Sequence, residues 1–549
     1  MANKYFSLVL HSHIPYVLDH GSWPHGMDWL YEAAAETYLP LLGVFERLAA
    51  EAVPPRVNIG FTPVLMAQLK DPDFVRGFDG YLRMKIEVAD RDGASFRATG
   101  HPLLSLTVYW GEWYRKLLHD FHERYHGDII EGFRSLQDRG QIEVLTSAAT
   151  HGYFPLLKKD ASIRHQIEQG RHVYRRYFGR EARGFWIPEC AYRPAYAWKS
   201  PFGDAQATPR LGVDEMLSQE GIGYFFVDAH LLNGGEAKGV YIDRFPGLKL
   251  LWEKSRKEYR PADELKRDPY SGYLAYPSNL PFFVRDEVSG SQVWSRQIGY
   301  PGDGCYLEFH KKHFPGGMRY WRITSSDPDL ALKEAYDPAA AAGRMDDHAS
   351  HFVSVLESAL KDKEAGVVVA LYDTELFGHW WFEGPEWVYR VIKKLARSPV
   401  QPLTAGECLE KLPPTAIISL PEGSWGQGGF HWIWLNEETA WIWKDIYRVE
   451  EAEEEIRPRA AVLDKRVLKQ FYREKFLLES SDWPFLISTW TARDYAENRA
   501  AEHFTRAMEL VGWLGSGRVL TAAEEALLRV YEKEDGLFEE IVLPDGTVV

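Results

Sequence analysis

The chain has 549 residues, 79 acidic against 64 basic, a formal charge of −15, with 45% hydrophobic and 26% charged side chains. That is ordinary globular composition, which excludes a disordered chain, and an acidic surface repels phosphate backbones, which excludes nucleic acid as the main partner. Its three cysteines, Cys190, Cys305 and Cys408, stand at no C-x-x-C spacing, so a disulfide framework and a thiolate zinc site are excluded too.

The opening MANKYFSLVLHSHIP is not a signal-peptide pattern, and no stretch reaches the length of a membrane span. The expectation is a cytoplasmic protein with no membrane partner. Aromatic residues make up 14% of the chain, with 20 Trp and 29 Tyr. Indole faces stack on the C–H faces of sugar rings, so this surplus suits a carbohydrate ligand as well as a Trp-rich core.

In chain order, apolar runs that read as strands occupy Phe6–Leu10, Val57–Phe61, Ile142–Thr146, Gly184–Ile187, Tyr224–Val227, Tyr273–Tyr276 and Val367–Tyr372. Helical patterns lie between them. Buried strands alternating with helices predict a parallel sheet with crossover helices, and seven of them predict a barrel or strongly wound α/β domain with its chemistry at the C-terminal strand ends. Between about 68 and 127 the pattern is helical and aromatic, an expected inserted helical subdomain of a catalytic domain spanning 1–413. Residues 193–209 and 231–246 read as long polar loops. From 414 to 549 a Gly/Trp-rich stretch leads into helical patterns with Leu463, Val467, Phe471 and Leu478 near one face, an expected all-helical C-terminal domain.

His11 and His13 end the first run, and alternate residues of a strand share a face. They suit metal ligation or hydrogen bonding to a polar substrate; a structural core pair is the plain alternative. Glu189 ends the fourth run, after Pro188, where a carboxylate is costly unless paired, for example with Arg193, or used. Asp373 ends the last run, with Glu375, His379, Trp380 and Trp381 close behind. Two strand-end carboxylates with aromatic walls are what glycosyl transfer requires, one to attack the anomeric carbon and one to protonate the departing oxygen. Either acid of the last run could instead cap the following helix, and Glu375 should face away from Asp373. His151 ends the third run and could orient a carboxylate. Asp303, in a Gly-rich turn, is a candidate site or turn residue. Trp294, Trp425 and Trp434 are candidate sugar platforms.

These segments resemble glycoside hydrolase family 57, and within it the 1,4-α-glucan (glycogen) branching members. The matching stretches are HSHIP at 11–15, GQIEVLTSAATHGYFPLL at 140–157, WIPECAY at 186–192, YDTELFGHWWFEG at 372–384 and TAGECL at 404–409, with SWGQGGFHWIWLN at 424–436 and SDWPF at 481–485 extending the likeness. The resemblance implies an incomplete (β/α)7 barrel with an inserted helical domain and a helical C-terminal domain, retention of anomeric configuration, and no catalytic metal or cofactor. It implies Glu189 as nucleophile and Asp373 as acid/base. His11, His13, His151, Trp294, Asp303, Trp425 and Trp434 would bind an α-glucan such as amylose or glycogen, and Tyr241 would sit on a Gly-hinged lid over the site.

The function so implied is α-1,6 branching, by a chain acting as a monomer, with the two carboxyl groups about 5–5.5 Å apart. A family amylase or 4-α-glucanotransferase would use the same carboxylates. A metal-dependent deacetylase or mannosidase on a related barrel, with His11 and His13 as ligands, and a non-catalytic glucan-binding protein are the readings from other classes.

Overall fold

The computed structural model describes residues 3–22, 24–203, 206–233, 267–295, 298–325 and 329–549. Twelve strands are described: β1 (Asn3–Ser12), β2 (Asn58–Phe61), β3 (Glu143–Ser147), β4 (Gly184–Trp186), β5 (Tyr196–Trp198), β6 (Thr208–Arg210), β7 (Tyr224–Val227), β8 (Tyr273–Ala275), β9 (Pro281–Val284), β10 (Ala365–Asp373), β11 (Gln401–Pro402) and β12 (Ile417–Ile418). Seven of them run parallel in the order β10-β1-β2-β3-β4-β7-β9. No ladder joins β9 to β10 among the described residues. A backbone bond from Asp286 N to Val369 O, 2.8 Å, crosses that seam. The expected incomplete seven-stranded barrel is therefore present.

The strands form where apolar residues are continuous because helices cover the sheet. Val367 to Tyr372 on β10 are all 1% exposed or less, and each such side chain contributes about 1.5–3 kcal/mol by leaving water. One strand differs from expectation. The Tyr273–Tyr276 run forms β8, which pairs antiparallel to β9 and so is not among the parallel seven. Its place is taken by β9, which starts at Pro281 and has only three apolar residues after it. A proline is tolerated at the first residue of a strand, but it hides so short a run from a pattern search. The expected polar loop after Arg193 holds a small antiparallel pair, β5 with β6.

Between β2 and β3 stand two long helices. Pro72–Thr99 is capped by the Asp71 side chain on Asp73 N and ended by Gly100 in the left-handed conformation, as start and stop signals require. Leu104–His119 follows. The helix Asp160–Phe178 packs so tightly on the end of β3 that a Cβ at Gly170 would lie 2.2 Å from Ser147 O.

After β12, which pairs with β8, the chain is mainly helical from Ala440 to Glu534, and Val542 bridges Val548 near the end. These helices dock on the barrel through polar bonds. Gln166 donates to Glu479 at 2.8 Å, Tyr447 to Leu156 O at 2.8 Å and Arg499 to Tyr16 O at 2.7 Å. Among the described residues no helix is long and apolar enough to cross a membrane.

Candidate active site

β4 ends at Trp186, and Pro188 to Cys190 form a single tight turn. Glu189 and Cys190 both adopt left-handed backbone, φ 59° and 47°, a conformation that costs about 1–3 kcal/mol in a non-glycine residue and persists only where the surroundings enforce it. The turn delivers the Glu189 carboxylate to a ring of donors. Trp425 Nε1 donates to Oε2 at 2.7 Å, and the Ser481 hydroxyl donates to Oε1 at 3.4 Å. His151 Nδ1 stands 3.8 Å from Oε1, and Trp425 N binds the Glu189 carbonyl at 3.0 Å. Arg193, the expected structural partner, instead pairs with Asp160 at 3.4 Å. Burial pushes the Glu189 carboxyl up to about 8; the Trp425 bond opposes this, and the charges of Asp373 and Asp482 add to it.

Asp373 closes β10 in register with His11 of β1. Although it precedes the short turn Thr374–Leu376, its side chain makes no capping bond, so the helix-cap alternative is not realised. Glu375 faces elsewhere, as expected: its carboxylate accepts from Tyr38 and from His13 N at 3.1 Å. Burial pushes it up to about 7 against those bonds. Glu375 thus holds the end of β1 against the loop after β10.

The three histidines gather as a stack. His13 lies 4.1 Å from His151 and His11 5.0 Å from His151, ring to ring, and His11 lies flat on Trp186 at 4.5 Å. His11 Nε2 faces His151 Nε2 at 3.0 Å, and His151 Nδ1 faces Ser481 Oγ at 2.9 Å. Both His13 nitrogens are taken, by Thr62 at 3.0 Å and Asp482 at 2.8 Å. His11 and His13 therefore converge on no common point as ligands would. Burial, then neighbouring imidazoles, hold His11 and His151 well below the usual histidine range, so both are neutral at pH 7.

The remaining expected residues divide. Trp425 is in the site, edge-on to Trp186 at 5.1 Å and to Trp294 at 6.0 Å. Trp294 is next to it but nearly enclosed, with its Nε1 on Leu371 O at 3.3 Å. Trp434 is enclosed in the core, stacked on Tyr153 at 4.4 Å. Asp303 is not brought to Glu189. It binds Arg344 at 2.8 Å and caps Cys305 N at 2.9 Å, as a turn residue does. Tyr241 lies outside the described residues.

Four contributors escape sequence reasoning: Ser481 and Asp482 on the helical C-terminal region, Thr62 after β2, and Tyr38. Isolated polar residues have no period to betray them. The signal within reach was the SDWPF stretch, where Ser481 and Asp482 stand.

A family model described as glycosyl hydrolase family 57 matches residues 7–421, and one described as 1,4-alpha-glucan branching enzyme, C-terminal, matches residues 444–544. The chain is 42% identical to a 1,4-alpha-glucan branching enzyme of Thermococcus kodakarensis over 98% of this chain and 78% of that protein. It is 29% identical to a probable 1,4-alpha-glucan branching enzyme of Mycobacterium tuberculosis over 97% of this chain and 96% of that one. Among solved structures it is similar to the family 57 branching enzyme of Thermococcus kodakaraensis, with TM-score 0.88 and 40% identity over 99% of this chain and 97% of that one. It is also similar to the α-amylase AmyC of Thermotoga maritima, with TM-score 0.80 and 31% identity over 98% of each chain. The chain belongs to glycosyl hydrolase family 57.

Proposed function

We propose that the chain is a retaining 1,4-α-glucan branching enzyme with Glu189 as nucleophile and Asp373 as acid/base. Glu189 attacks C1 of an α-1,4-linked glucose while Asp373 protonates the departing O4, leaving a β-glucosyl ester on Glu189. Asp373 then takes the proton from a C6 hydroxyl of a second chain, that oxygen attacks C1, and the ester bond breaks to give an α-1,6 branch. Two inversions at C1 restore the α configuration.

The observation that carries the reading is the Glu189 carboxylate, held by Trp425 at 2.7 Å in a strained turn at the same C-terminal edge of the parallel sheet as Asp373. The match of residues 444–544 to a branching-enzyme C-terminal region favours branching among the family's reactions. Trp294 and Trp425, side by side, are the aromatic surface for glucan. His11, His13 and His151 are the polar wall of the site. The division into a catalytic part, 1–413, with its helical insertion at about 68–127, and a helical part, 414–549, goes with this reading. So do a monomeric state and a cytoplasmic location, the latter supported by the three unpaired cysteines.

The test uses amylose. Branching lowers iodine colour without a matching rise in reducing ends, and debranching the product releases short chains. A matching rise would favour the second reading, hydrolysis, which the likeness to the Thermotoga maritima α-amylase keeps in view.

A further inference from the structure

A buried hydrogen-bond chain runs from the nucleophile into the barrel: Glu189 Oε1, Ser481 Oγ at 3.4 Å, His151 Nδ1 at 2.9 Å from that oxygen, then His151 Nε2 to His11 Nε2 at 3.0 Å. It ends at His11 Nδ1, a buried atom with no hydrogen-bond partner among the described residues. A hydroxyl has one proton to give, so a chain in which Ser481 donates to one neighbour and accepts from the other has two polarities. In one, Ser481 donates to an ionised Glu189, His151 carries its proton on Nδ1 and donates to Ser481, and His11 donates from Nε2 with a bare lone pair at Nδ1. In the other every bond is reversed: Glu189 holds a proton and donates to Ser481, and His11 Nδ1 carries an orphan N–H. Buried orphan N–H groups are rarer than unfilled acceptor positions, as seen for backbone groups, which favours the first.

We propose that Ser481 is a positioning residue for transfer: anchored by His151, its hydroxyl donates to Glu189 Oε1 and biases the proton shared by the two carboxyl groups onto Asp373. This rests on the reading of Glu189 as nucleophile and Asp373 as acid/base. The bond-breaking step needs Glu189 bare and Asp373 protonated, so a donor on Glu189 raises the share of the singly protonated pair that is ready to react. Ser481 comes from the helical C-terminal region, so that region supplies part of the catalytic wall and is more than a scaffold.

The groups that face Glu189 are Trp425 and Ser481 as donors, His151 and His13 from the strand ends β3 and β1, Asp373 from β10, and Asp482 beside Ser481. His13 is itself held by Asp482; the carboxylates raise the affinity of Glu189 for a proton, and Trp425, His13 and the Ser481 hydroxyl lower it.

The experiment is the pH profile of kcat/KM on amylose for wild type, Ser481→Ala and Ser481→Thr, with 15N spectra of the histidine rings in the wild type. Ser481→Ala should lower the plateau about tenfold and move its alkaline limb up by about one pH unit, the worth of a hydrogen bond to a charged group; Ser481→Thr should restore both. A lowered plateau with an unmoved limb means a merely structural residue and overturns the proposal. The wild-type spectra decide independently of whether Ser481→Ala folds. With Glu189 ionised, His151 should be protonated at Nδ1 and His11 at Nε2, and the reverse overturns it. If wild type does not act on α-glucan, the functional reading fails while the tautomers still report on the chain.

Discussion

Trp425 and Glu189, 236 residues apart, meet through a 2.7 Å bond from the indole N–H to Oε2. The same two residues are also joined main chain to main chain, Trp425 N to Glu189 O, at 3.0 Å. The tryptophan that the sequence offered as a sugar platform is thus also the chief donor to Glu189. The sign of its effect on pH dependence follows from the pair. Burial pushes the Glu189 carboxyl up to about 8, and because the two carboxyl groups titrate together this marks the loss of the last proton of the pair. Loss of that proton leaves no acid for the leaving oxygen, so kcat/KM falls as pH rises through about 8. Trp425→Phe removes the donor and raises the affinity of Glu189 for the proton. The alkaline limb should move up by about one unit, and the plateau should fall about tenfold as the proton shifts from Asp373 to Glu189. A limb that moved down would contradict the assignment.

The two carboxylates should fail in different ways. Glu189→Gln cannot form the ester, so transfer and hydrolysis should both fall by about 10³ or more, and no glycosyl adduct should appear by mass spectrometry. Asp373→Asn keeps the nucleophile. Given a donor with a fluoride leaving group, which needs little protonation, it should form an adduct of Glu189 that persists because no base activates the acceptor. An adduct on Glu189→Gln would refute its role as nucleophile.

Much of this arrangement was legible. Continuous apolar runs marked six of the seven parallel strands, and polar residues ending such runs marked His11, His151, Glu189 and Asp373, because an ionisable group in a buried strand is affordable only where it works. What was hidden is what has no period. Pro281–Val284 is too short beside its proline to register. Ser481 and Asp482 sit in a helical segment, where a lone serine or aspartate reads as solvent-facing. They reach the site only because the C-terminal helices fold back over the strand ends. A structural Glu189 would pair with Arg193, but the fold sets Arg193 on Asp160 instead.

The loop after Asp373 depends on Gly378. It has φ 128°, and a Cβ there would lie 1.9 Å from Glu36 O and 2.8 Å from Thr37 Oγ1. The same segment anchors His379, whose N–H binds Thr37 at 3.0 Å and whose ring binds Glu36 at 3.1 Å. Backbone oxygens cannot step aside as a flexible side chain can. Gly378→Ala should therefore cost about 2–4 kcal/mol by chemical denaturation, and should lower kcat/KM because the segment that follows Asp373 is displaced. Wild-type stability in this variant would show the contact to be soft.

Far from the site, Asp535 anchors the C-terminal helices to the N-terminal segment. It is fully buried, binds His20 at 2.8 Å and Arg506, and lies 3.9 Å from Arg499 and 3.7 Å from His503. Burial alone would raise its pKa, but His503, His20 and Arg499 outweigh burial and hold it far below the usual carboxylate range. Asp535→Asn leaves the Arg499 and Arg506 guanidinium groups facing a neutral amide and should cost about 3–5 kcal/mol at neutral pH. The pH dependence has two parts. A depressed carboxylate contributes stability above its unfolded value of about 3.9, and loses it as pH falls toward the folded one. Its neighbour Glu474, which burial and then the charge of Asp535 push well above the usual range, contributes stability that is lost as pH rises through its own folded value. The Tm difference between wild type and Asp535→Asn should thus be greatest between these limits and narrow below about pH 4, as well as in alkali. Thermal melts across pH 3–9 decide it. A gap that widened on acidification would mean that Asp535 is not ionised in the folded protein and that these helices are held to the barrel by something other than its charge.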